Sequence, residues 1–280
     1  MKLSGTLEIT TNMGCPVRCR YCPQSKLMKA YRSPIRRMTF ATFQECLQKV
    51  PNNIRIDFSG MSEPWLNLEC TRMMEYAIQN NHPVAVYTTF LGASIADIHA
   101  LSQWEIDPLV IHLPDDAGNS PIPLSRTYLA VIRWFFQIIS DTPGWQNLRI
   151  SCHGRLHPTL LRLFGDEIEA IKIPVVDYLS DRAGNLSSRT LLHHRKEGPL
   201  TCSSSGRALN HNILLPDGSV ILCCMDYGMQ HVLGNLVTQN YEDLFLGEEY
   251  HRLQAAIEES KSSILCRKCV RAVSLQKQNE

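Results

Sequence analysis

Near its N-terminal end the chain reads Cys15-Pro16-Val17-Arg18-Cys19-Arg20-Tyr21-Cys22, a stretch that predicts a metal centre. Three thiolates in this C-x3-C-x2-C spacing can hold three irons of one [4Fe–4S] cube from a single loop, one fewer than in the usual four-cysteine site. The fourth iron is then open to another ligand. Structural zinc normally requires four protein ligands, and residues 23–42 contain no further cysteine or histidine. The spacing therefore predicts an iron–sulfur cluster, with zinc as the disfavoured alternative.

Apolar and amphipathic segments alternate around this loop over the first 180 residues. Six strands, rich in β-branched or aliphatic residues, are predicted at 7–11, 54–59, 84–89, 109–113, 148–152 and 170–175. Helices are predicted between them, with capping or first-turn residues at Thr42, Asn67, Ser94 and Pro158 and an apolar stripe along 125–140. Six such units imply an α/β fold with a parallel sheet, which right-handed crossovers curl into a partial (β/α)6 TIM-like barrel. Cys15 then lies at the barrel mouth, where the chemistry is expected.

Composition and charge narrow the class of protein. Apolar residues make up 44% and charged residues 20% of the 280 residues, and the formal net charge is +1. These values are typical of a soluble globular protein and lack the basic character of a nucleic-acid binder. No signal peptide is apparent, and the longest apolar stretch, 128–139, is too short to span a bilayer. We therefore expect a cytoplasmic protein without nucleic-acid or membrane partners, in which eleven cysteines favour metal chemistry over disulfides.

With its cysteine motif the sequence resembles the radical S-adenosylmethionine (SAM) superfamily, whose members bind SAM at the open iron of the cluster. The segment Ser59-Gly60-Met61-Ser62-Glu63 follows the second predicted strand, where the family carries a Gly-Gly-Glu-Pro-like motif. Met61 and Ser62 depart from that motif. The resemblance implies the following SAM-binding residues: Tyr21, Ser59, Gly60, Met61, Glu63, Thr88 and His112.

A second group of cysteines lies in the last third of the chain. We expect a barrel at 1–180, a linker at 181–200 and a small domain at 201–280, with a hairpin at 211–223 and a helix at 241–259 capped by Asn240. This layout resembles the auxiliary-cluster region of SPASM and twitch proteins. The resemblance implies a second [4Fe–4S] cluster held by Cys202, Cys223, Cys266 and Cys269. No cysteine follows these four, which favours the one-cluster twitch form; a zinc knuckle stays open, and Cys224 could replace Cys223.

The resemblance also implies a reaction. SAM would be cleaved reductively, and the resulting 5′-deoxyadenosyl radical would take a hydrogen atom from a substrate. The layout is similar to radical SAM dehydrogenases of aminocyclitol pathways, which implies oxidation of a hydroxylated small molecule to a ketone, with the auxiliary cluster as electron acceptor. An electron donor such as flavodoxin or ferredoxin is implied as a partner. Such an oxidation needs a base, for which the candidates by position are Arg155, His153, His112, Asp115 and Asp226. Cys224 is a further candidate catalytic residue, as a hydrogen-atom donor.

Three alternatives stay open at this level. A radical SAM epimerase would return a hydrogen atom from a thiol, with Cys224 or Cys152 as the donor. Peptide modification occurs in many SPASM proteins, but fewer than ten residues precede the first predicted strand, which disfavours a leader-binding domain. A redox or zinc-binding scaffold would bind metal without cleaving SAM. Cys46 and Cys70 lie on predicted helices and are expected in the core.

Overall fold

A computed structural model describes residues 5–139, 142, 145, 147–171, 181–186 and 195–275. Its largest element is an eight-stranded sheet whose first five strands are parallel and follow the chain. They are β1 (Thr6–Ile9), β2 (Arg55–Phe58), β3 (Val84–Thr88), β4 (Leu109–His112) and β5 (Arg149–Ser151). The mixed α/β architecture and the predicted positions of these five strands are thereby confirmed.

Helices connect the parallel strands, as alternating βα units require. They are α1 (Gln24–Ala30), α2 (Phe40–Leu47), α3 (Cys70–Gln79), α4 (Ile95–Leu101), α5 (Arg126–Ile138) and α6 (Pro158–Ile171). The predicted cap Ser94 is confirmed, because its hydroxyl accepts from the Asp97 amide at 3.2 Å. At the start of α5 the hydroxyl of Ser125 accepts from the Tyr128 amide at 3.1 Å. Each hydroxyl satisfies an amide that has no partner inside its helix.

Other predicted boundaries are wrong. Helix α2 is capped by Thr39, whose hydroxyl accepts from the amide of Thr42, so Thr42 lies inside the helix. Asn67 does not cap α3; its side chain donates to backbone carbonyls of two neighbouring segments, at 3.0 and 2.8 Å. The predicted strand 170–175 begins inside α6, which ends at Ile171, and 172–175 lie outside the described residues.

The C-terminal segment continues the same sheet. Its elements are β6 (Leu200–Cys202), β7 (His211–Leu214), β8 (Ser219–Ile221), β9 (Val232–Asn235), α7 (Glu248–Glu258) and β10 (Ala272–Ser274). The predicted hairpin is confirmed as the antiparallel pair β7 and β8. The helix predicted at 241–259 is a 3-10 turn, Glu242–Phe245, followed by α7, whose N-cap is Gly247 rather than Asn240. Strand β7 pairs in parallel with β1, so the sheet crosses the predicted domain boundary.

Successive side chains of a strand point to opposite faces of the sheet. In β1 one face is apolar and packs under the helices, and the other is polar and lies towards the interior. Leu7 and Ile9 of β1 are fully buried in the core under the helices, together with Cys46 and Cys70 as predicted. Glu8, between the two β1 residues, faces an interior cavity instead. Among the described residues no helix has the length and apolar composition needed to cross a membrane.

Candidate functional site

A cavity of about 380 Å³ is lined by residues from the strands β1 to β4 and the loops that follow them. All ten residues predicted from the first cysteine motif and the SAM resemblance line it. They are Cys15, Cys19, Tyr21, Cys22, Ser59, Gly60, Met61, Glu63, Thr88 and His112. The carboxyl ends of neighbouring parallel strands meet at one edge of a sheet, and for this reason segments far apart in sequence converge here.

The three thiols of the first motif are close enough to influence one another. Burial raises the pKa of Cys19 to about 11, and the charges of Cys22 and Cys15 add to that effect. Burial also raises the pKa of Cys15, to which Glu63 and Cys22 contribute. Three neighbouring thiols form a donor set of the kind that iron–sulfur clusters bind.

A single metal ion and a cluster make different demands on the cysteines. Among the described residues no three cysteine, histidine or carboxylate side chains converge closely enough to hold one metal ion. A cube binds each thiolate through a different iron, whereas one zinc ion holds all of its ligands at a single centre.

A tight turn at Gly60 brings the segment after β2 against β1. Gly60 has φ of +57°, and a Cβ at this position would lie 2.8 Å from the carbonyl oxygen of Ile9. The Met61 amide donates to the Thr10 hydroxyl at 3.0 Å, which fixes the turn. Only glycine tolerates both this φ and this approach. The turn therefore presents backbone to the cavity, as the predicted SAM contact requires.

Glu63 links the ends of β2 and β3. Its carboxylate accepts from the amide and the hydroxyl of Thr89, both at 2.8 Å, and from the Thr88 hydroxyl. Burial raises its pKa to about 7, against the effect of these hydrogen bonds. The structure therefore gives Glu63 and Thr88 a part in shaping the cavity wall.

Tyr21 forms an aromatic wall with two histidines. Its ring centroid lies 4.1 Å from that of His153 and 6.0 Å from that of His112, and its hydroxyl lies 2.7 Å from Ser120 Oγ. Burial, followed by the influence of His153, lowers the pKa of His112 to about 4, so this ring is neutral near pH 7. Its Nε2 atom is buried and has no hydrogen-bond partner among the described residues. A ligand that hydrogen bonds there would remove the cost of an unsatisfied buried group.

The second group of cysteines surrounds a smaller cavity of about 40 Å³. Strand β10 pairs antiparallel with β6 and places Ala272 opposite Cys202, which carries the Cys266 to Cys269 loop to that strand. The hairpin of β7 and β8 supplies Cys223. The cavity is lined by all four predicted ligands, Cys202, Cys223, Cys266 and Cys269.

Backbone amides point at the sulfurs of this second group. The Ser204 amide lies 3.5 Å from Cys202 Sγ, and the Arg271 amide lies 3.4 Å from Cys269 Sγ. Burial raises the pKa of Cys266 to about 12, and the neighbouring Cys269 and Cys202 add to the effect. Hydrogen bonds to ligand sulfurs are a feature of protein-bound iron–sulfur clusters. These residues fit such a cluster.

Cys223 and Cys224 have different neighbours. Burial and then Cys224 and Cys266 raise the pKa of Cys223, whereas burial and then Glu8 raise the pKa of Cys224 to about 12. Cys224 lines both cavities, and Cys223 lines only the smaller one. The environment of Cys223 is therefore that of the second cysteine group, and Cys224 also faces the large cavity.

Two predicted catalytic residues, Arg155 and Asp226, do not line the large cavity. Arg155 has an 89% exposed side chain that donates to Asp116 at 3.0 Å, and it is not among the lining residues. Asp226 is buried, and its carboxylate accepts from the amides of Gln230 and His231, both at 2.9 Å. The position of Asp226 indicates support of a turn rather than contact with a substrate.

The structure adds polar residues that the sequence did not single out. Glu8 Oε1 lies 2.7 Å from His211 Nε2, and the Ser59 hydroxyl donates to Glu8 Oε2 at 2.8 Å. Asp57 accepts two hydrogen bonds from Arg55, at 2.6 and 2.8 Å. Both carboxylates could have been found in the sequence, because each is a charged residue between two apolar residues of a predicted strand. His211 gave no such signal, because its partner lies 203 residues away.

Comparison with known proteins agrees with this site. Residues 202–270 match the SPASM family, an iron–sulfur cluster-binding domain. A search of curated protein sequences finds no match. The structure of BtrN in complex with AdoMet and 2-DOIA is similar at a TM-score of 0.63 and 16% identity, covering 99% of this chain and 96% of BtrN.

Two peptide-bound structures are also similar. Native anSMEcpe with bound AdoMet and Cp18Cys peptide has a TM-score of 0.53 and 14% identity, covering 95% of this chain and 86% of its own. SuiB of Streptococcus suis bound to the precursor peptide SuiA has a TM-score of 0.61 and 15% identity, and the match covers 94% of this chain and 69% of SuiB.

The fold is that of the BtrN, anSMEcpe and SuiB structures, and residues 202–270 match the SPASM family. Both findings confirm the resemblance predicted from the cysteines. Iron–sulfur clusters are accordingly its cofactors.

Proposed function

We propose that this chain is a radical SAM dehydrogenase that oxidises an alcohol of a hydroxylated small molecule, of the sugar or aminocyclitol type, to a ketone. The observation that carries the proposal is the shared wall of the two cavities. His211, Cys224 and Arg271 line both the large cavity and the one formed by the second cysteine group. An electron leaving a substrate in the large cavity would therefore have an acceptor directly behind the wall.

The first cysteine motif, the Gly60 turn and the wall of Tyr21 and His112 are the residues that would hold the cluster and SAM. When bound, these cofactors supply a 5′-deoxyadenosyl radical, and the auxiliary cluster supplies an electron acceptor. The chain shapes and orients the site. Tyr21 and His112 form the aromatic side of the cavity, and Glu63 ties the loops after β2 and β3 together.

A proton acceptor is required, because an alcohol that becomes a ketone also loses its hydroxyl proton. Glu8, with His211 at 2.7 Å, is the carboxylate best placed for this role. Asp57, Glu63 and Glu8 all accept hydrogen bonds from the protein on both oxygens, but only the partner of Glu8, His211, also lines the cavity of the second cysteine group. The substrate carbon loses one hydrogen atom, the hydroxyl proton passes to Glu8, and one electron leaves towards the second cysteine group. The two electrons and two hydrogens of the oxidation are then accounted for.

The lining of the cavity favours a polar, compact substrate. Glu8, Asp57, Ser59 and Tyr87 present hydroxyl and carboxylate groups suited to the hydroxyls or amines of a cyclitol or sugar. BtrN, solved with the small molecule 2-DOIA, matches this chain over nearly the full length of both proteins. SuiB, solved with a peptide, is covered over only 69% of its length.

The test is a product analysis under anaerobic conditions. The reconstituted protein is incubated with SAM, a reductant and a panel of aminocyclitols and sugars, and products are read by mass spectrometry. The proposal expects a product two hydrogens lighter than its substrate, formed together with 5′-deoxyadenosine. Deoxyadenosine without oxidation of any panel member, alongside turnover of a peptide panel, would contradict it.

Cys224 supports epimerisation as a second candidate. Its thiol faces the large cavity beside Glu8, and burial keeps it protonated by raising its pKa to about 12. A protonated thiol can return a hydrogen atom to a substrate carbon. In heavy water an epimerase would yield a product of unchanged composition apart from one deuterium, whereas a dehydrogenase loses two hydrogens.

A further inference from the structure

Tyr227 connects the C-terminal segment to the first cysteine motif. Its hydroxyl oxygen lies 3.5 Å from Cys22 Sγ, a hydrogen-bond distance for the large sulfur atom, although 205 residues separate the two in sequence. Tyr227 is only 3% exposed, and both residues line the large cavity. A side chain from outside the three-cysteine loop therefore reaches one of the predicted ligands of that loop.

The direction of this hydrogen bond is fixed once Cys22 binds iron. A ligating cysteine is a thiolate, which accepts hydrogen bonds and has no proton to donate. A tyrosine hydroxyl is protonated at neutral pH, because its usual pKa is about 10. The Tyr227 hydroxyl is then the donor. Gln24 Nε2 lies 3.4 Å from the same sulfur, so Cys22 accepts both from its own segment and from the C-terminal one.

The turn that carries Tyr227 also carries a predicted ligand of the second cysteine group. The Asp226 amide donates to the Cys223 carbonyl at 2.9 Å, which places Cys223 and Tyr227 on one tight turn. The Asp226 carboxylate fixes the far side of this turn by accepting from the amides of Gln230 and His231, both at 2.9 Å. One short segment therefore contributes to both groups of cysteines.

Residues 181–186 hold this turn beside the cysteine loop. The side-chain amide of Asn185 donates to the Met225 carbonyl at 2.7 Å. Three residues earlier, Arg182 Nε donates to the Tyr21 carbonyl at 3.1 Å. The same segment thus binds the turn and the cysteine loop, and it fixes their separation.

We propose that Tyr227 is a positioning residue that acts through Cys22, so that the C-terminal segment makes the first cluster easier to reduce. The proposal rests on the proposed function only in taking Cys22 as the ligand of a redox cluster. Reduction adds one negative charge to a cluster. A hydrogen bond to a ligand sulfur therefore stabilises the reduced form more than the oxidised form and raises the reduction potential.

The test removes the hydroxyl of Tyr227 and keeps its ring. The variant is Tyr227→Phe, and the matched control is Tyr31→Phe. Tyr31 packs in the same buried apolar cluster, but its hydroxyl donates to the Ile35 carbonyl at 2.6 Å instead of to a cysteine. Each cluster-loaded protein is titrated with dithionite in the presence of redox mediators, and the reduced clusters are followed by EPR spectroscopy. The first cluster is the one whose signal changes when SAM is added.

Reduction of the first cluster should be about tenfold less favourable in Tyr227→Phe, a fall in potential of about 59 mV for one electron. Tyr31→Phe should keep the potential of the wild type, since it loses a buried hydroxyl that touches no ligand. An unchanged potential in Tyr227→Phe, or an equal fall in both variants, would overturn the proposal. A shift confined to Tyr227→Phe without alcohol oxidation by the wild type would leave this proposal standing and refute the proposed function alone.

A second variant covers the case in which Tyr227→Phe does not fold or does not retain iron. It carries 3-fluorotyrosine at position 227, which keeps the hydroxyl and makes it a stronger hydrogen-bond donor. The potential of the first cluster should then rise above that of the wild type. An unchanged or lowered potential in this protein would overturn the proposal.

Discussion

The Nε2 atom of His211 lies 2.7 Å from Oε1 of Glu8, and this contact joins the C-terminal hairpin to the first strand of the barrel. Parallel pairing of β7 with β1 places the two residues on the same face of the sheet. Glu8 thereby belongs to the large cavity, while His211 borders both cavities. The pair is therefore the structural link between the proposed proton acceptor and the second cysteine group.

Replacing Glu8 should uncouple the reaction. In Glu8→Gln we expect ketone formation to fall about 100-fold or more, since a general base typically contributes a factor of about 10² to 10⁴. Deoxyadenosine should still form, because the residues that would hold SAM are untouched. The measurement is the ratio of ketone to deoxyadenosine, with the exposed Glu45→Gln as control. An unchanged ratio would exclude Glu8 as the proton acceptor.

The same substitution predicts a pH profile of stability. Burial alone would raise the pKa of Glu8, but hydrogen bonds from His211 and Ser59, with the influence of Cys224, bring it below its usual 4.5. A carboxylate whose pKa is lowered on folding stabilises the fold at pH values above its unfolded-state pKa. This stabilisation is lost only as the pH falls towards the folded-state pKa. Wild type should therefore be more stable than Glu8→Gln by about 1–2 kcal/mol, and this difference should not decline from pH 7.5 to 5.5. Anaerobic urea unfolding checks this; a difference that declines across that range would mean a raised pKa instead.

Substitution of the adjacent cysteines should give opposite results. Cys223→Ser should lose the auxiliary cluster, because this residue is grouped with Cys266. Cys224→Ser should retain about eight irons, at four per cube. Iron analysis and EPR spectroscopy of both variants decide the assignment. Loss of iron in Cys224→Ser alone would reverse the two roles.

Removing the first motif should leave one cluster. The wild type is expected to hold about eight irons and the Cys15→Ala/Cys19→Ala/Cys22→Ala variant about four. If the variant is free of iron and holds zinc, the second group is structural and a redox-neutral reaction becomes the better proposal. An iron-free wild type would contradict the cluster assignment at both sites.

Alanine at Gly60 should destabilise the protein by more than φ strain alone. A Cβ there meets the backbone of Ile9 and Thr10 at 2.8 Å, in addition to φ of +57°. Gly118 has φ of +67° and open space around it, so Gly118→Ala measures the conformational strain, about 1 kcal/mol. Urea unfolding should show Gly60→Ala as clearly less stable than Gly118→Ala, and equal losses would show that the turn can relax.

Short sequence patterns were enough to predict the cysteine loop, a helix cap and five strands. The spacing of Cys15, Cys19 and Cys22 lies within one loop, and the cap Ser94 acts within one helical turn. Five strands could be located because alternation and β-branched residues act over a few positions. These interactions depend only on residues a few positions apart, and the sequence alone was therefore enough to predict them.

Tertiary structure decided what depends on distant segments. Thr39 caps α2 in place of Thr42, and it follows closely on Arg37, which forms a β-bridge with the distant Asn12. The neighbours of Cys223 and Cys224 differ because the two residues follow a strand whose faces meet different cavities. Glu8 and His211 meet only through parallel pairing of strands 203 residues apart. Such pairing depends on how the whole sheet buries its apolar face, which no short stretch of sequence specifies.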